Sequence, residues 1–105
     1  VSVPLYTDYL QKKMGPEDLW NYFNEYYRDE AFIKVMPYGS EEKTANMLPG
    51  NECSGWDGLR IYITGNEERV VLSAQFDNLG KGASGAAIQC MNIIMGCEEN
   101  KGLNL

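Results

Sequence analysis

Two runs of alternating polarity joined by a short turn constrain this chain more than any other feature. Leu59, Ile61 and Ile63 alternate with Arg60, Tyr62 and Thr64; after Gly65-Asn66-Glu67-Glu68, Val70, Leu72, Ala74 and Phe76 alternate with Val71, Ser73 and Gln75. Successive side chains on a strand point to opposite faces, so a period of two on both sides of a Gly-Asn turn specifies a β-hairpin with one buried face. A lone hairpin is marginal in water. The rest of the chain must therefore supply strands beside it and a helix against its apolar face.

It contains both. Residues 1–5 are β-rich, with Pro4 confining them to a strand end or a sheet edge. Gly15-Pro16-Glu17-Asp18 reads as a helix start, with Pro near the first helical position and two acids at the positive dipole end. Leu19, Trp20, Phe23, Tyr26 and Tyr27 then recur every three or four residues, predicting a core-facing helix over 16–29. Residues 31–36 read as a short strand stopped by Pro37, and 38–57, rich in Gly, Pro and polar residues, as a long ordered loop. A last helix is expected from Gly82 or Ala83, with Ile88, Met91, Ile94 and Met95 on one face, Gln89 and Asn92 elsewhere, and an end at Gly96. The order predicts one α+β domain over residues 1–105, helices packed on a mixed, mostly antiparallel sheet.

Composition narrows the function. Hydrophobic residues make up 44% and charged residues 23% of the 105, which suits a folded core and a single domain. The net charge is −6 and the nine Lys and Arg residues are scattered, so no nucleic-acid partner is expected. No apolar run approaches the roughly 20 residues of a membrane span. With no charged-then-apolar leader either, the expectation is a soluble cytoplasmic protein without a membrane partner. The opening Val1-Ser2-Val3-Pro4-Leu5 has no initiator Met and begins as though inside a strand, which we read as the mark of a fragment.

The chain has no histidine, so neither a Cys-His pair nor a Ser-His-Asp triad can be assembled from it alone. Cys53, Cys90 and Cys97 lack the C-x-x-C spacing of zinc or redox sites, and no metal is expected. Cys90 falls in the helical run and should pack as a small hydrophobe; Cys53 and Cys97 fall in turn-rich sequence. Glu41-Glu42, Glu67-Glu68 and Glu98-Glu99 read as solvated charge. The aromatic stripe has Glu17, Asp18, Glu25 and Asp29 as neighbours and no basic groove, so it reads as core or interface rather than a base-stacking platform.

Where the second hairpin strand ends, Gly80, Gly82 and Gly85 satisfy G-x-G-x-x-G, the spacing that brings a backbone close to a pyrophosphate at a helix start. A complete dinucleotide unit needs a further parallel strand and an acidic residue about 20 residues on. Residues 86–105 contain no such strand, so that unit is excluded. Two readings stay open: a glycine-softened turn packed on its own core, or an anion site built from free N–H groups, small glycines and the Lys81 cation.

The run from Phe76 to Asn92, Phe-Asp-Asn-Leu-Gly-Lys-Gly-Ala-Ser-Gly-Ala-Ala-Ile-Gln-Cys-Met-Asn, closely resembles the C-terminal signature of N-acetyl-gamma-glutamyl-phosphate reductases. Aspartate-semialdehyde dehydrogenases carry a related version. Glu25-Tyr26-Tyr27-Arg28-Asp29-Glu30-Ala31-Phe32-Ile33-Lys34-Val35 resembles that family's helix-to-strand passage, and Gly102-Leu103 its chain end. The resemblance implies a fold like the catalytic and dimerisation domain of glyceraldehyde-3-phosphate dehydrogenase. It also implies an NADPH-dependent parent in arginine biosynthesis that reduces an acyl phosphate to a semialdehyde through a cysteine thioester, with a histidine as acid/base.

In that family the nucleophilic Cys and the catalytic His belong to portions this chain does not contain, so no catalytic residue is nominated. The family's terminal-helix start approaches the nicotinamide, which carries over to Asn78, Lys81, Gly82 and Ala83 as cofactor-binding residues, with a turn or cap role as the alternative for Asn78. The implied partners are an N-terminal dinucleotide-binding domain and further copies of the chain; alone, the chain is expected to be inert and to bind no cofactor tightly. The alternatives are a non-catalytic phosphometabolite-binding module and a self-association domain. Glutamyl and aminoadipyl substrates both remain open.

Overall fold

The hairpin forms as its alternation requires. The computed structural model describes residues 1–40, 42 and 47–105, and in it β3 (Leu59–Gly65) pairs antiparallel with β4 (Arg69–Phe76), Leu59 opposite Phe76 and Gly65 opposite Val70. Asn66 closes the turn, its Oδ1 accepting the N–H groups of Glu68 and Arg69, each at 3.0 Å. β1 (Ser2–Tyr6) adds antiparallel to β4 as an edge strand, the position in which Pro4 costs no ladder hydrogen bond. β2 (Ile33–Val35) adds parallel to β3, giving the mixed order β1-β4-β3-β2.

The connection from β1 to β2 runs through α1 (Pro16–Tyr26), which starts as predicted: Pro16 opens it and the Asp18 carboxylate accepts the Gly15 N–H at 3.0 Å. Leu19 from α1 joins Ile63 and Val70 in the buried core, with Leu5, Trp20, Phe23, Ile61 and Leu72 packed around them. The Trp20 indole N–H, otherwise stranded against the sheet, donates to the Met36 carbonyl at 2.8 Å.

Two boundaries are shorter than the sequence predicted. α1 ends at Tyr26 instead of Asp29, because Asp29 and Glu30 would put acids on the negative end of the dipole; Arg28 instead turns back to Glu25 at 3.0 Å. The strand predicted over 31–36 is only Ile33–Val35, since Ala31 and Phe32 belong to the turn leaving α1. The aromatic stripe divides as well. Leu19 is buried and Trp20, Phe23 and Tyr27 half-buried, but Tyr26 is exposed, stacked on Tyr22 at 6.0 Å.

The hairpin does not have a single buried face. Tyr62 and Gln75, on the face away from α1, are 5% and 8% exposed. The loop predicted over 38–57, as far as it is described, lies beneath them. Gln75 Nε2 donates to the Pro49 carbonyl at 2.6 Å, and the buried Cys53 thiol donates to the Gln75 carbonyl at 3.7 Å. The cations of Lys34 and Arg60 lie 5.5 and 5.6 Å from the centre of the Trp56 ring, within the range favourable to both. Alternation shows which residues share a face but not whether a distant loop will cover the polar one.

The last helix departs most. A π-helical turn (Gly80–Ser84) precedes α2 (Gly85–Ile94), so the regular helix starts later than Gly82 or Ala83. It stops as predicted: Gly96 takes φ +67, and the Cys97 N–H reaches the Asn92 carbonyl at 2.9 Å. Its packing is inverted. Met91, Ile93, Ile94 and Met95 are 51 to 84% exposed, whereas Asn92 is 5% exposed. The Asn92 carboxamide donates to the Glu99 and Lys101 carbonyls, both at 2.9 Å. The terminal tail thus covers the polar face of α2, because a carboxamide can satisfy the carbonyls of a chain folding back and an Ile cannot. Cys90 is exposed and does not pack as a small hydrophobe. Among the described residues no helix is long and apolar enough to cross a membrane.

Candidate functional site

The glycine turn is held by the chain's own carboxylates. Asp77, the last residue before it, accepts the Gly55 N–H on Oδ2 at 2.7 Å and the Leu79 N–H on Oδ1 at 2.9 Å. Asp57 pairs with the tail: its N–H reaches the Asn104 carbonyl at 2.8 Å and its Oδ2 accepts the Asn104 N–H at 2.9 Å. The other Asp57 oxygen presses on the turn. A Cβ on Gly80 would stand 2.8 Å from Asp57 Oδ1, and one on Gly85 would stand closer still, with the Gly80 carbonyl oxygen at 2.7 Å. At Gly82 a Cβ would meet the Phe76 ring at 3.0 Å. All three glycines of the G-x-G-x-x-G spacing therefore make room for protein atoms. These contacts are the ones that the reading of a turn packed against its own chain expects.

This changes the electrostatics expected there. The N–H groups of Gly82 and Ser84 are used by the Asp77 and Leu79 carbonyls, at 2.9 and 3.1 Å. Hydrogen bonds from Gly55 first, then Leu79, with a smaller one from Gly80, hold the Asp77 carboxyl below the usual carboxylate range against a modest opposing desolvation. A group whose pKa is depressed by folding stabilises the fold fully above its unfolded value, about 3.9, and loses that contribution as pH falls toward the folded value. We expect the midpoint urea concentration to fall between pH 5 and pH 3, and Asp77→Asn to flatten that dependence. An equally steep acid limb in the variant would remove Asp77 as a cause.

The four residues expected at a cofactor lie in one segment but in different states. Asn78, Gly82 and Ala83 are exposed. Lys81 is turned inward: its ammonium lies 4.8 Å above the centre of the buried Phe32 ring and donates to Gln89 Oε1, while Gln89 Nε2 donates to Glu99 at 2.6 Å. Its cation is thus committed to Gln89 on α2 and to the Phe32 ring.

The acid pairs behave as read where described, Glu42, Glu67, Glu68, Glu98 and Glu99 being exposed; Glu41 lies outside the described residues. Burial raises the Cys53 thiol pKa above its ordinary value, with Arg60 opposing and Glu52 and Asp77 adding to it, so it is a protonated thiol and not a nucleophile near neutrality. No group of three metal-ligating side chains occurs among the described residues. Asp57 escaped the sequence reading because its partners Gly80, Gly85 and Asn104 lie more than 20 residues away and no local pattern marks them. Gln75 left one signal, a carboxamide at a strand position just before the turn.

No family model matches the chain. Curated relatives do. A protein from Clostridium beijerinckii is 36% identical over 93 residues, 89% of this chain and 26% of the relative. One from Staphylococcus saprophyticus is 39% identical over 87 residues, 83% of this chain and 24% of the relative. A third, from Nostoc sp., is 33% identical over 107 aligned positions, 98% of this chain and 33% of the relative. The chain thus spans about a quarter to a third of the length of the curated relatives it matches, and all three bear one enzyme name.

Proposed function

From the premise that this chain is homologous to the C-terminal portion of N-acetyl-gamma-glutamyl-phosphate reductases, we propose that it is the corresponding part of an NADPH-dependent reductase of that kind, inert alone. Its α+β fold with a mixed four-stranded sheet is consistent with the catalytic and dimerisation domain of glyceraldehyde-3-phosphate dehydrogenase. The observation that carries the reading is identity of 33 to 39% maintained over 83 to 98% of the chain. Two features of the molecule support it. A chain with no histidine has no Cys-His pair to offer, and its buried cysteine is a protonated thiol. The apolar side of α2, together with Leu79 at 74% exposed, is the kind of surface that a dinucleotide-binding domain or a second copy of the chain would cover.

The turn fits one half of NADPH better than the other. Ionised Asp77, with Asp57 against the glycines and Lys81 withdrawn, repels a pyrophosphate; this argues against a free-standing phosphometabolite module. Exposed Asn78, Gly82 and Ala83 offer a carboxamide and small backbone positions to a neutral ring. When bound, the cofactor supplies the hydride, and these residues orient the nicotinamide and exclude water from one side of it.

The test is a chimera in which this chain replaces the matching portion of the Clostridium beijerinckii relative. We expect the chimera to oxidise NADPH in the presence of N-acetyl-gamma-glutamyl phosphate, and the 105-residue chain alone to show no turnover. A folded chimera without activity would count against the assignment, and turnover by the chain alone would overturn its inertness.

A further inference from the structure

Asn104 makes three hydrogen bonds to Gly55 and Asp57, and each uses a different group of the residue. Its N–H donates to Asp57 Oδ2 at 2.9 Å, its carbonyl accepts the Asp57 N–H at 2.8 Å, and its carboxamide Nδ2 donates to the Gly55 carbonyl at 2.5 Å. The chain reaches this point by folding back from the end of α2, held on the way by the Asn92 carboxamide at the Glu99 and Lys101 carbonyls. The two residues that Asn104 holds are the ones that border the glycine turn. Gly55 donates its N–H to Asp77 Oδ2 at 2.7 Å, and Asp57 Oδ1 occupies the space beside Gly80 and Gly85.

A carboxylate free to rotate could turn away from the glycines. Asp57 is not free: with Oδ2 committed to Asn104, Oδ1 is left to face them. Gly55, exposed and at φ +77, would likewise be free to leave Asp77 if nothing held its carbonyl. We infer that Asn104 is a positioning residue for the glycine turn: acting through Gly55 and Asp57, it fixes the carboxylates of Asp77 and Asp57 that shape the turn, and with them the exposed Asn78, Gly82 and Ala83. Its effect on hydride transfer rests on the reductase reading; its hold on the turn does not. Asparagine suits the place by its chemistry. Its carboxamide gives the Gly55 carbonyl a donor, whereas an aspartate would set an acceptor against that carbonyl and add a negative charge beside Asp57.

Amide hydrogen exchange of the 105-residue chain and its Asn104→Ala variant, followed by NMR, tests the hold. Asn104 is exposed, so its truncation should leave the core intact. Losing one hydrogen bond is expected to speed exchange at Gly55, Leu79 and Gly82 about fivefold and to leave Ile63 and Val70 in the core unchanged, as a local opening does. Asn104→Asp should speed it further; size alone predicts the opposite, since Asp fills the space of Asn. The same variants in the chimera test the consequence. A displaced nicotinamide should lower kcat about tenfold, while KM for NADPH stays within about twofold because the turn does not hold the pyrophosphate. Unchanged exchange at the turn, uniform acceleration across the sheet, or unaltered kcat despite faster exchange would overturn the proposal. An unsubstituted chimera without turnover counts against the reductase reading alone, and the exchange rates then decide.

Discussion

A Leu19→Ala chain is expected to lose about 3 kcal/mol of folding stability, within the ~2–5 kcal/mol that buried Leu truncations cost when a cavity remains. Leu19 is 6% exposed and is the one side chain of α1 in the buried cluster with Ile63 and Val70. The site cannot collapse easily, because α1 is pinned at one end by Pro16 with the Asp18 cap and along its length by the Trp20 bond to Met36. Against a total of roughly 5–15 kcal/mol for a domain, such a loss decides whether the chain stays folded on mild heating. Urea unfolding followed by circular dichroism measures it, and a loss under about 1 kcal/mol with an unchanged slope would mean that α1 contributes little to holding the sheet.

Gly85→Ala is the second large effect, and here two terms oppose. Gly85 has helical dihedrals, φ −61 and ψ −44, so helix propensity alone favours alanine by roughly 1 kcal/mol. The added Cβ would stand 2.7 Å from the Gly80 carbonyl oxygen and would drive into Asp57 Oδ1, an overpacking that costs about 1–3 kcal/mol. The backbone oxygen cannot rotate away, so the clash should win, with a net loss of up to about 2 kcal/mol and a thermal midpoint lower by up to roughly 10 °C. Asp57→Ser in the same chain should restore part of it. An alanine chain as stable as the parent would show that the carboxylate does not crowd the turn.

How much was legible follows the range of the interactions. The hairpin, its turn, the start of α1 and the Gly96 stop all rest on residues within a few positions of each other, and each is observed where the sequence predicts it. Pro4 on an edge strand was likewise readable, because its missing N–H is a property of one residue. The candidate site was legible only as a segment: Asn78, Lys81, Gly82 and Ala83 are adjacent by sequence. That Lys81 points to Gln89 over Phe32, that Asp57 occupies the space the glycines leave, and that Gln75 is buried under Pro49 all depend on approaches between distant parts of the chain. Periodicity likewise identified an apolar side of α2 but could not say that Asn92 would be buried and Ile94 left at 84% exposed.

By itself, the sequence determined the local elements, the α+β class, the absence of a histidine-based catalytic pair and the likeness of residues 76–92 to one reductase signature, because these depend on residue identity and short-range spacing. The tertiary structure alone decided which faces are covered and what the glycine turn accommodates. Close approach is decided by which side chains the folded chain brings into the same few ångströms, and at this turn they are two carboxylates of the protein itself.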